Sequence, residues 1–525
     1  MRAGRAGRSA RPWLLAFGAL GAAVVARNLL ALDSAPPGMY VDEASIGYNA
    51  WAIAHFGVDE HGYHLPLYFQ AFGESKNPLY IYALVPLVRF LALTPSVERV
   101  PAAVLGSVAL MFMTMAAWRL TRSYAVALFM LVLAAFTPWL TQESRVGFEV
   151  IGIVATLSVA LWCLADESRL SGRRFATAGV FLALSIFAYS TGRLEVALFA
   201  VVFALVYRRR HRLWWLTLVP IAAGYLVLGV WALVHPGALT AEFSVINIGA
   251  DGASLPTLAA RFITNYAQYF SPDFLFIHGD PNLRHNTGYS GMLLAVSAPL
   301  LLLGLWACWR RRSDALPRFL LLCLILAPIA ASLTNTGGTG HALRGAVMLP
   351  FLMLLAAYGV QAVFQLATNH VRLVAGLLLA ALMVQGALYT VDMYTAYPVR
   401  AAVAFDTGAL PAMRAAKAAA GEHMVYVSDT LNEQPYIDAF MALLPPPPEM
   451  PTADAAGRGL HLLRFAVVDP VIAQQSAKTG DVIVVAASDP LQTSALQLID
   501  EERAPTDPLH PAQPPRPLVR VYRVT

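Results

Sequence analysis

Long apolar segments recur along most of this chain, and they constrain its fold more than any other feature. The hydrocarbon core of a bilayer is about 30 Å thick, and a helix of about 20 residues crosses it. Only 13% of the 525 residues are charged, against about 25% in soluble domains. The sequence therefore predicts a polytopic α-helical membrane protein with about eleven spans, at 12–31, 100–118, 124–141, 150–165, 175–189, 194–207, 213–234, 290–309, 319–333, 346–366 and 373–392.

The positions of the arginines predict how these spans are oriented. Basic residues are enriched in cytoplasmic loops, and here they follow every second span, at 119–122, 169–174, 208–212, 310–318 and Arg372. A further apolar stretch, 78–93, would move all of these runs outside if it spanned, so we expect a helix lying along the outer interface. This places the N-terminus inside, the C-terminus outside, and the loops 32–99, 235–289 and 334–345 on the outer face of a cell (inner) membrane. Because the net charge of +5 comes from these loops, we expect no nucleic-acid partner.

The last part of the chain has a different composition. Short β-branched runs at 424–429, 463–469, 481–485 and 519–524 are typical of strands, and helical patterns lie near 408–420 and 432–444. We therefore divide the chain into a transmembrane module, 1–395, and a small extracytoplasmic α/β domain, 396–525.

Polar residues that could carry chemistry are concentrated in the first outer loop. Asp42 and Glu43 precede a predicted amphipathic helix that extends to Phe56, and Glu74 and Lys76 follow later in the loop. A carboxylate at such a junction can take a proton from a hydroxyl within about 3 Å. The alternative interpretation is that Asp42 only caps the helix.

The order of these residues resembles the GT-C superfamily of glycosyltransferases. The resemblance rests on the acidic pair, then Glu74-x-Lys76-x-Pro78 before an aromatic-rich interfacial helix, together with 97–101 and 144–149. It extends from about residue 12 to 395. It is closest to the branch that contains protein O-mannosyltransferases and lipid A aminoarabinose transferases, glycosyltransferase families 39 and 83.

This resemblance implies a GT-C fold and an inverting transfer of sugar from a polyprenyl-phosphate donor to a lipid, glycan or protein acceptor. Asp42 aligns with the catalytic base, with Glu43 as its neighbour. Glu74 aligns with a carboxylate that orients substrate, and Lys76 with the lysine that holds the carrier phosphate. Glu149 aligns with the acidic residue of the second outer loop, although favourable placement at a helix N-terminus also explains it.

Two later loops contain further candidates. His341 and Arg344 precede a predicted span, where a helix N-terminus favours an anion such as the donor phosphate; snorkelling to the headgroups is the alternative for Arg344. Arg284 and His285 lie in a segment that is similar to one found in many bacterial members, and either a substrate contact or a solvated turn explains them. Ser45 stands where the aminoarabinose branch has an arginine, so the donor sugar stays open.

We expect neither a metal nor a cofactor. The loops contain no Asp-x-Asp pair, and the branch that the chain resembles is regarded as metal-independent. A phosphate leaving group, with a second pKa of about 6, needs no general acid. Two other functions remain open: a lipid or glycan transporter and a non-catalytic membrane scaffold. No ionisable side chain lies at the middle of a predicted span, which disfavours an ion-coupled carrier.

Overall fold

The computed structural model describes residues 3–335, 340–365, 369–447, 452–453 and 460–525, so part of the predicted outer loop 334–345 lies outside the described residues. The first part of the chain is almost entirely helical. Its helices are α1 Ala3–Leu29, α2 Val41–Phe56, α3 Pro78–Val88, α4 Pro95–Thr121, α5 Tyr124–Phe136, α6 Pro138–Glu143, α7 Val150–Leu164, α8 Gly172–Ile186, α9 Gly192–Tyr207, α10 Leu218–Val234, α11 Ala241–Ile246, α12 Leu255–Gln268, α13 Ser297–Arg310, α14 Ala315–Leu326, α15 Ile329–Ser332, α16 Ala342–Gly345, α17 Met348–Gln365 and α18 Asn369–Tyr394.

Every predicted span overlaps a helix or two consecutive helices, although the span predicted at 290–309 becomes helical only from Ser297. Within the described residues, five helical segments are long and apolar enough to cross a membrane: Pro95–Thr121, Trp214–Val234, Ala315–Ser332, Met348–Gln365 and Leu373–Tyr394. The other helices are shorter or less apolar, so the count of eleven spans stays a prediction. Helix α3 has 11 residues, which is about 16 Å of helix and agrees with its predicted interfacial position.

Close packing of α13 against α17 organises the second half of the bundle. A Cβ added at Gly304 would lie 1.9 Å from Leu355 O, and one at Gly359 would lie 1.9 Å from Leu300 O. Only glycine therefore permits this approach, as is common where membrane helices meet. Because α13 follows the segment 279–286 and α17 follows α16, the contact brings those two loop regions together.

Helix α2 differs from the prediction in one respect. The sequence predicts an amphipathic helix, but α2 is buried on most of its circumference, including the polar side chains of Ser45 and Asn49. The reason is tertiary, because α2 packs against α3 on one side and against a C-terminal helix, Pro435–Leu443, on another.

The C-terminal part contains a mixed sheet, as the strand patterns predicted. Two strands of the first loop form a separate hairpin. The elements are β1 Phe69–Ala71, β2 Glu74–Lys76, α19 Ala396–Ala401, α20 Ala409–Ala420, β3 Val425–Ser428, α21 Pro435–Leu443, β4 Thr452–Ala453, β5 Leu460–Leu462, β6 Phe465–Val468, α22 Pro470–Ser476, β7 Val482–Ala486, β8 Leu496–Arg503 and β9 Pro517–Val524. The larger sheet has the order β4-β5-β6-β3-β7-β9-β8, with β3 parallel to β6 and β7 and the other pairs antiparallel.

This sheet region packs against the first loop through α21. Tyr48 of α2 donates a hydrogen bond to Pro445 O at 2.7 Å, and its ring lies 4.7 Å from that of Phe440. The first loop is therefore enclosed between the helical bundle and the C-terminal region.

Candidate active site

The hairpin β1–β2 positions two of the predicted site residues. Its two-residue turn has positive φ at Phe72 (53°) and Gly73 (80°), which is the conformation that a tight type I′ turn requires. Side chains two positions apart in a strand project from the same face. Glu74 and Lys76 therefore project together, and Lys76 Nζ lies 2.8 Å from Glu74 Oε1.

Lys76 is the centre of the site. Its side chain has no exposed surface, and its Nζ also donates to Asp42 Oδ1 at 2.6 Å. Burial alone would lower the pKa of Lys76, but the charges of Asp42, Glu74 and Glu149 outweigh it and raise that pKa well above its ordinary value. Lys76 is therefore a fixed cation among carboxylates.

Asp42 lies at the second position of α2 and is not its N-cap residue, which is Tyr40. Its side chain is 26% exposed and reaches Lys76. The cap-only interpretation therefore does not describe its position. Solvent reaches the carboxylate, so a hydroxyl of another molecule can as well.

Glu149 approaches the same cluster from the start of α7. Its Oε1 accepts a hydrogen bond from the backbone N–H of Asn77, next to Lys76. Burial raises the pKa of Glu149 to about 8, in spite of the opposing effect of Lys76. Both of its sequence-based interpretations fit, since it lies at a helix N-terminus and within the site.

Arg193 is a site residue that the sequence analysis missed. Its guanidinium donates to Asn77 Oδ1 at 3.1 Å and to Leu239 O at 3.2 Å. It lies at the beginning of α9. In the sequence it looks like any arginine at the end of a predicted span. The hydrogen bond to Asn77 links it to the Lys76 cluster.

A cavity of about 440 Å³ extends from this point towards Arg344. Arg344 donates to Thr334 Oγ1 at 3.0 Å and lies 3.9 Å from Glu242, a residue that the sequence analysis also missed. Burial and Glu74 raise the pKa of Glu242 above its ordinary value, against the opposing effect of Arg344, Lys76 and Arg193. Lys76 and Arg344 are predicted to act on one phosphate, and their charges both act on Glu242.

Glu43 faces away from this cluster. Arg99 donates to both of its carboxylate oxygens at 2.7 Å, and the backbone N–H of Gly147 donates at 2.7 Å. Both members of the ion pair are fully buried. The structure therefore gives Glu43 the surroundings of a residue that holds α2 in place, and it does not bring Glu43 to Lys76.

The three remaining predicted residues form two separate contacts. Arg284 donates to Ala404 O at 2.6 Å and lies 3.4 Å from Glu433, so it joins its loop to the C-terminal part. His285 lies beside His341, with ring centroids 4.6 Å apart. Burial lowers the pKa of His341 well below its ordinary value.

A second cavity, of about 630 Å³, borders the hairpin. Glu74 and Ser75 form part of its wall, together with Tyr68, Trp231 and His235. Glu74 therefore borders both the Lys76 cluster and an aromatic-lined space.

The helical bundle, the first loop and the C-terminal sheet together form a fold that solved structures share. Over 98% of its length, the chain is similar to 98% of ArnT from Cupriavidus metallidurans bound to undecaprenyl phosphate, with a TM-score of 0.56 and 15% identity. The apo state of that protein gives a TM-score of 0.55 and 13% identity over the same shares of both chains.

The arabinofuranosyltransferase AftD from Mycobacteria is matched by 96% of the chain over 40% of its own length, at 14% identity and a TM-score of 0.48, a likeness too low to define the fold. No protein-family model matches the sequence, and no curated protein matches it.

Proposed function

We propose that this protein is an inverting glycosyltransferase that moves a sugar from a polyprenyl-phosphate donor to an acceptor at the extracytoplasmic face of the cell membrane. The observation that carries the proposal is the fully buried Lys76, held between Asp42 and Glu74. Its neighbour Asn77 accepts a hydrogen bond from Arg193, which lines a cavity together with Arg344. The proposal includes the eleven-span topology and a domain boundary near residue 395.

The cavity of about 440 Å³ suits the phosphate end of a lipid-linked donor. Its polar wall contains Arg193 and Arg344, and its apolar wall contains Leu194, Leu228 and Phe243. The phosphate of the donor is a diester with one negative charge, and the released carrier phosphate bears close to two near neutral pH. Arginine matches phosphate oxygens with paired donors. The ArnT structure with a similar fold is bound to undecaprenyl phosphate, which supports a donor of this class.

Donor binding would also activate the base. In the structure, Lys76 Nζ donates to Asp42 Oδ1 at 2.6 Å, so this oxygen is already engaged and is less available to an acceptor hydroxyl. A phosphate that attracts Lys76 Nζ would reduce this effect. Asp42 would then take the proton of an acceptor hydroxyl while the oxygen bonds to the anomeric carbon. The bond from that carbon to the phosphate oxygen breaks, and its electron pair leaves with the carrier phosphate.

We place the acceptor in the aromatic-lined cavity of about 630 Å³. The faces of Tyr68 and Trp231 offer apolar area with polar edges, and Glu74 at the wall can orient a hydroxyl. Because Glu74 also contacts Lys76, it would connect the acceptor with the donor phosphate.

The test is to incubate the purified protein with a panel of radiolabelled polyprenyl-phosphate sugars and measure release of the carrier phosphate. We expect release with wild type and a loss of about 10²-fold or more in Asp42→Asn. Asp33→Asn is a matched control, because Asp33 is an exposed residue of the same loop. Movement of an unchanged lipid across vesicles without release would favour a transporter, and release that is equal in all three proteins would contradict the proposed base.

A further inference from the structure

Asp280, His285 and His341 converge although they come from two distant parts of the chain. Each offers one ligand atom, and these atoms lie within 4.8 Å of one another, the one such group within the described residues. His285 Nδ1 is 2.8 Å from Asp280 Oδ2. Adjacent ligand atoms around tetrahedral zinc lie about 3.3 Å apart, given bonds of about 2.0–2.1 Å. A metal could therefore replace the proton between this pair with small side-chain movements.

Two buried polar atoms, one in this cluster and one near it, have no hydrogen-bond partner within the described ranges. One is Nδ1 of His341, and the other is Oε1 of Glu143, a buried residue near Asp280. Buried polar atoms are nearly always paired, and a bound ion is one recognised reason for an exception. These atoms are the second observation, independent of the ligand spacing, that points to a cation.

The carboxylate is also held as metal-bound carboxylates are. Asp280 Oδ1 accepts from the N–H of Asn282 at 2.8 Å, and Oδ2 accepts from the N–H of Ala342 at 2.7 Å. Such outer hydrogen bonds orient a ligand and are typical of metal sites. Ala342 is the first residue of α16, the short helix that contains Arg344.

We propose that Asp280, His285 and His341 bind one Zn²⁺ ion, with water as the fourth ligand, and that this ion fixes the segment 279–286 to the start of α16. Two imidazoles and one carboxylate favour zinc over magnesium or calcium, which prefer oxygen ligands. The ion would act as a structural clamp that positions Arg344. Zinc binding itself does not depend on the proposed glycosyltransferase activity.

The test uses full-length protein in detergent, purified through a tag without histidines. After treatment with a chelator, Co²⁺ is added and the visible absorption of four-coordinate cobalt is recorded, and zinc content is measured by mass spectrometry. We expect about one metal per chain and a thermal midpoint that rises with zinc concentration. A wild-type protein without the cobalt absorption and with negligible zinc would overturn the proposal, whatever the behaviour of the variants.

Two histidine variants separate this site from general metal binding. His341→Ala should bind zinc about 100-fold or more weakly, since even outer-shell changes cost 10–100-fold. His278→Ala is the matched control, because His278 also pairs with an aspartate, Asp273, but is exposed. Its zinc affinity should equal that of wild type. Equal affinities in all three proteins, or displacement of zinc by equimolar Mg²⁺, would show that this cluster is a hydrogen-bonded pair with a neighbouring histidine and no zinc site.

Discussion

Asp42 and Glu43 are adjacent in sequence, yet the structure predicts opposite consequences when each loses its charge. Asp42 lies in the Lys76 cluster with 26% of its side chain exposed. Glu43 is fully buried against Arg99. Asp42→Asn should therefore change the chemistry, and Glu43→Gln should change the stability.

The cost of Glu43→Gln follows from the charge it leaves behind. Arg99 would stay buried among carbonyl oxygens and a neutral amide, with the buried Glu98 as its remaining acidic neighbour. Removing one partner of a buried ion pair costs about 3–5 kcal/mol. Glutamine keeps one oxygen that can accept a hydrogen bond from Arg99 or Gly147. We therefore expect the free energy of unfolding to fall by about 3 kcal/mol, the lower end of this range. The transfer rate of the molecules that remain folded should change only a few-fold.

The cost of Asp42→Asn is small in stability and large in rate. Lys76 keeps Glu74 at 2.8 Å, and asparagine still offers an oxygen to Nζ. Because Asp42 is partly exposed, we expect the free energy of unfolding to fall by less than about 1 kcal/mol. Removing the proposed base should slow transfer by about 10²-fold or more.

Two measurements on each variant test these opposite consequences. One is the midpoint of thermal unfolding in detergent. The other is the rate of carrier release, divided by the amount of folded protein that size-exclusion chromatography gives. We expect the unfolding midpoint to fall only in Glu43→Gln and the carrier-release rate to fall only in Asp42→Asn. A fast Asp42→Asn together with a stable but slow Glu43→Gln would reverse the assigned roles and refute the reasoning.

Three further predictions concern the donor site, its ionisation and the topology. Lys76→Met and Arg344→Lys should each weaken binding of a polyprenyl-phosphonate sugar analogue by about 10–100-fold, since charge-assisted hydrogen bonds contribute about 1.5–3 kcal/mol; unchanged dissociation constants would remove both from the donor site. The folded protein holds a proton on Glu149, with a pKa of about 8, that the unfolded chain releases above its ordinary pKa of 4.5. This group therefore makes stability fall as pH rises from about 4.5 to 8, and Glu149→Gln should flatten that fall in unfolding midpoints; an identical pH profile would contradict a raised pKa. Reporter fusions after Arg122 should read cytoplasmic and those after His285 should read extracytoplasmic, and the reverse pattern would show that 78–93 spans.

Much of the architecture can be predicted from local sequence patterns. Apolar length locates the helices, because a segment without a polar face has few alternatives to burial in lipid or protein. Short β-branched runs locate strands such as Val482–Ala486, and loop order identifies the GT-C resemblance. The alternation of Glu74 and Lys76 on one strand also follows from local geometry. In each case the determining interaction lies within a few residues of the chain.

Only the tertiary structure decided which of the candidate site residues contact each other. Glu43 and Asp42 have the same sequence context, but the helix turns one towards Lys76 and the other towards Arg99, which arrives from α4. Arg193 resembles any span-end arginine until its hydrogen bond to Asn77 is seen. The helix packing between α13 and α17 brings His285 and His341 together, and no spacing in the sequence encodes that distance. The sequence by itself determined the class of fold and the chemical groups available, because these depend on local composition. The partners of each group depend on long-range packing, which only the folded chain specifies.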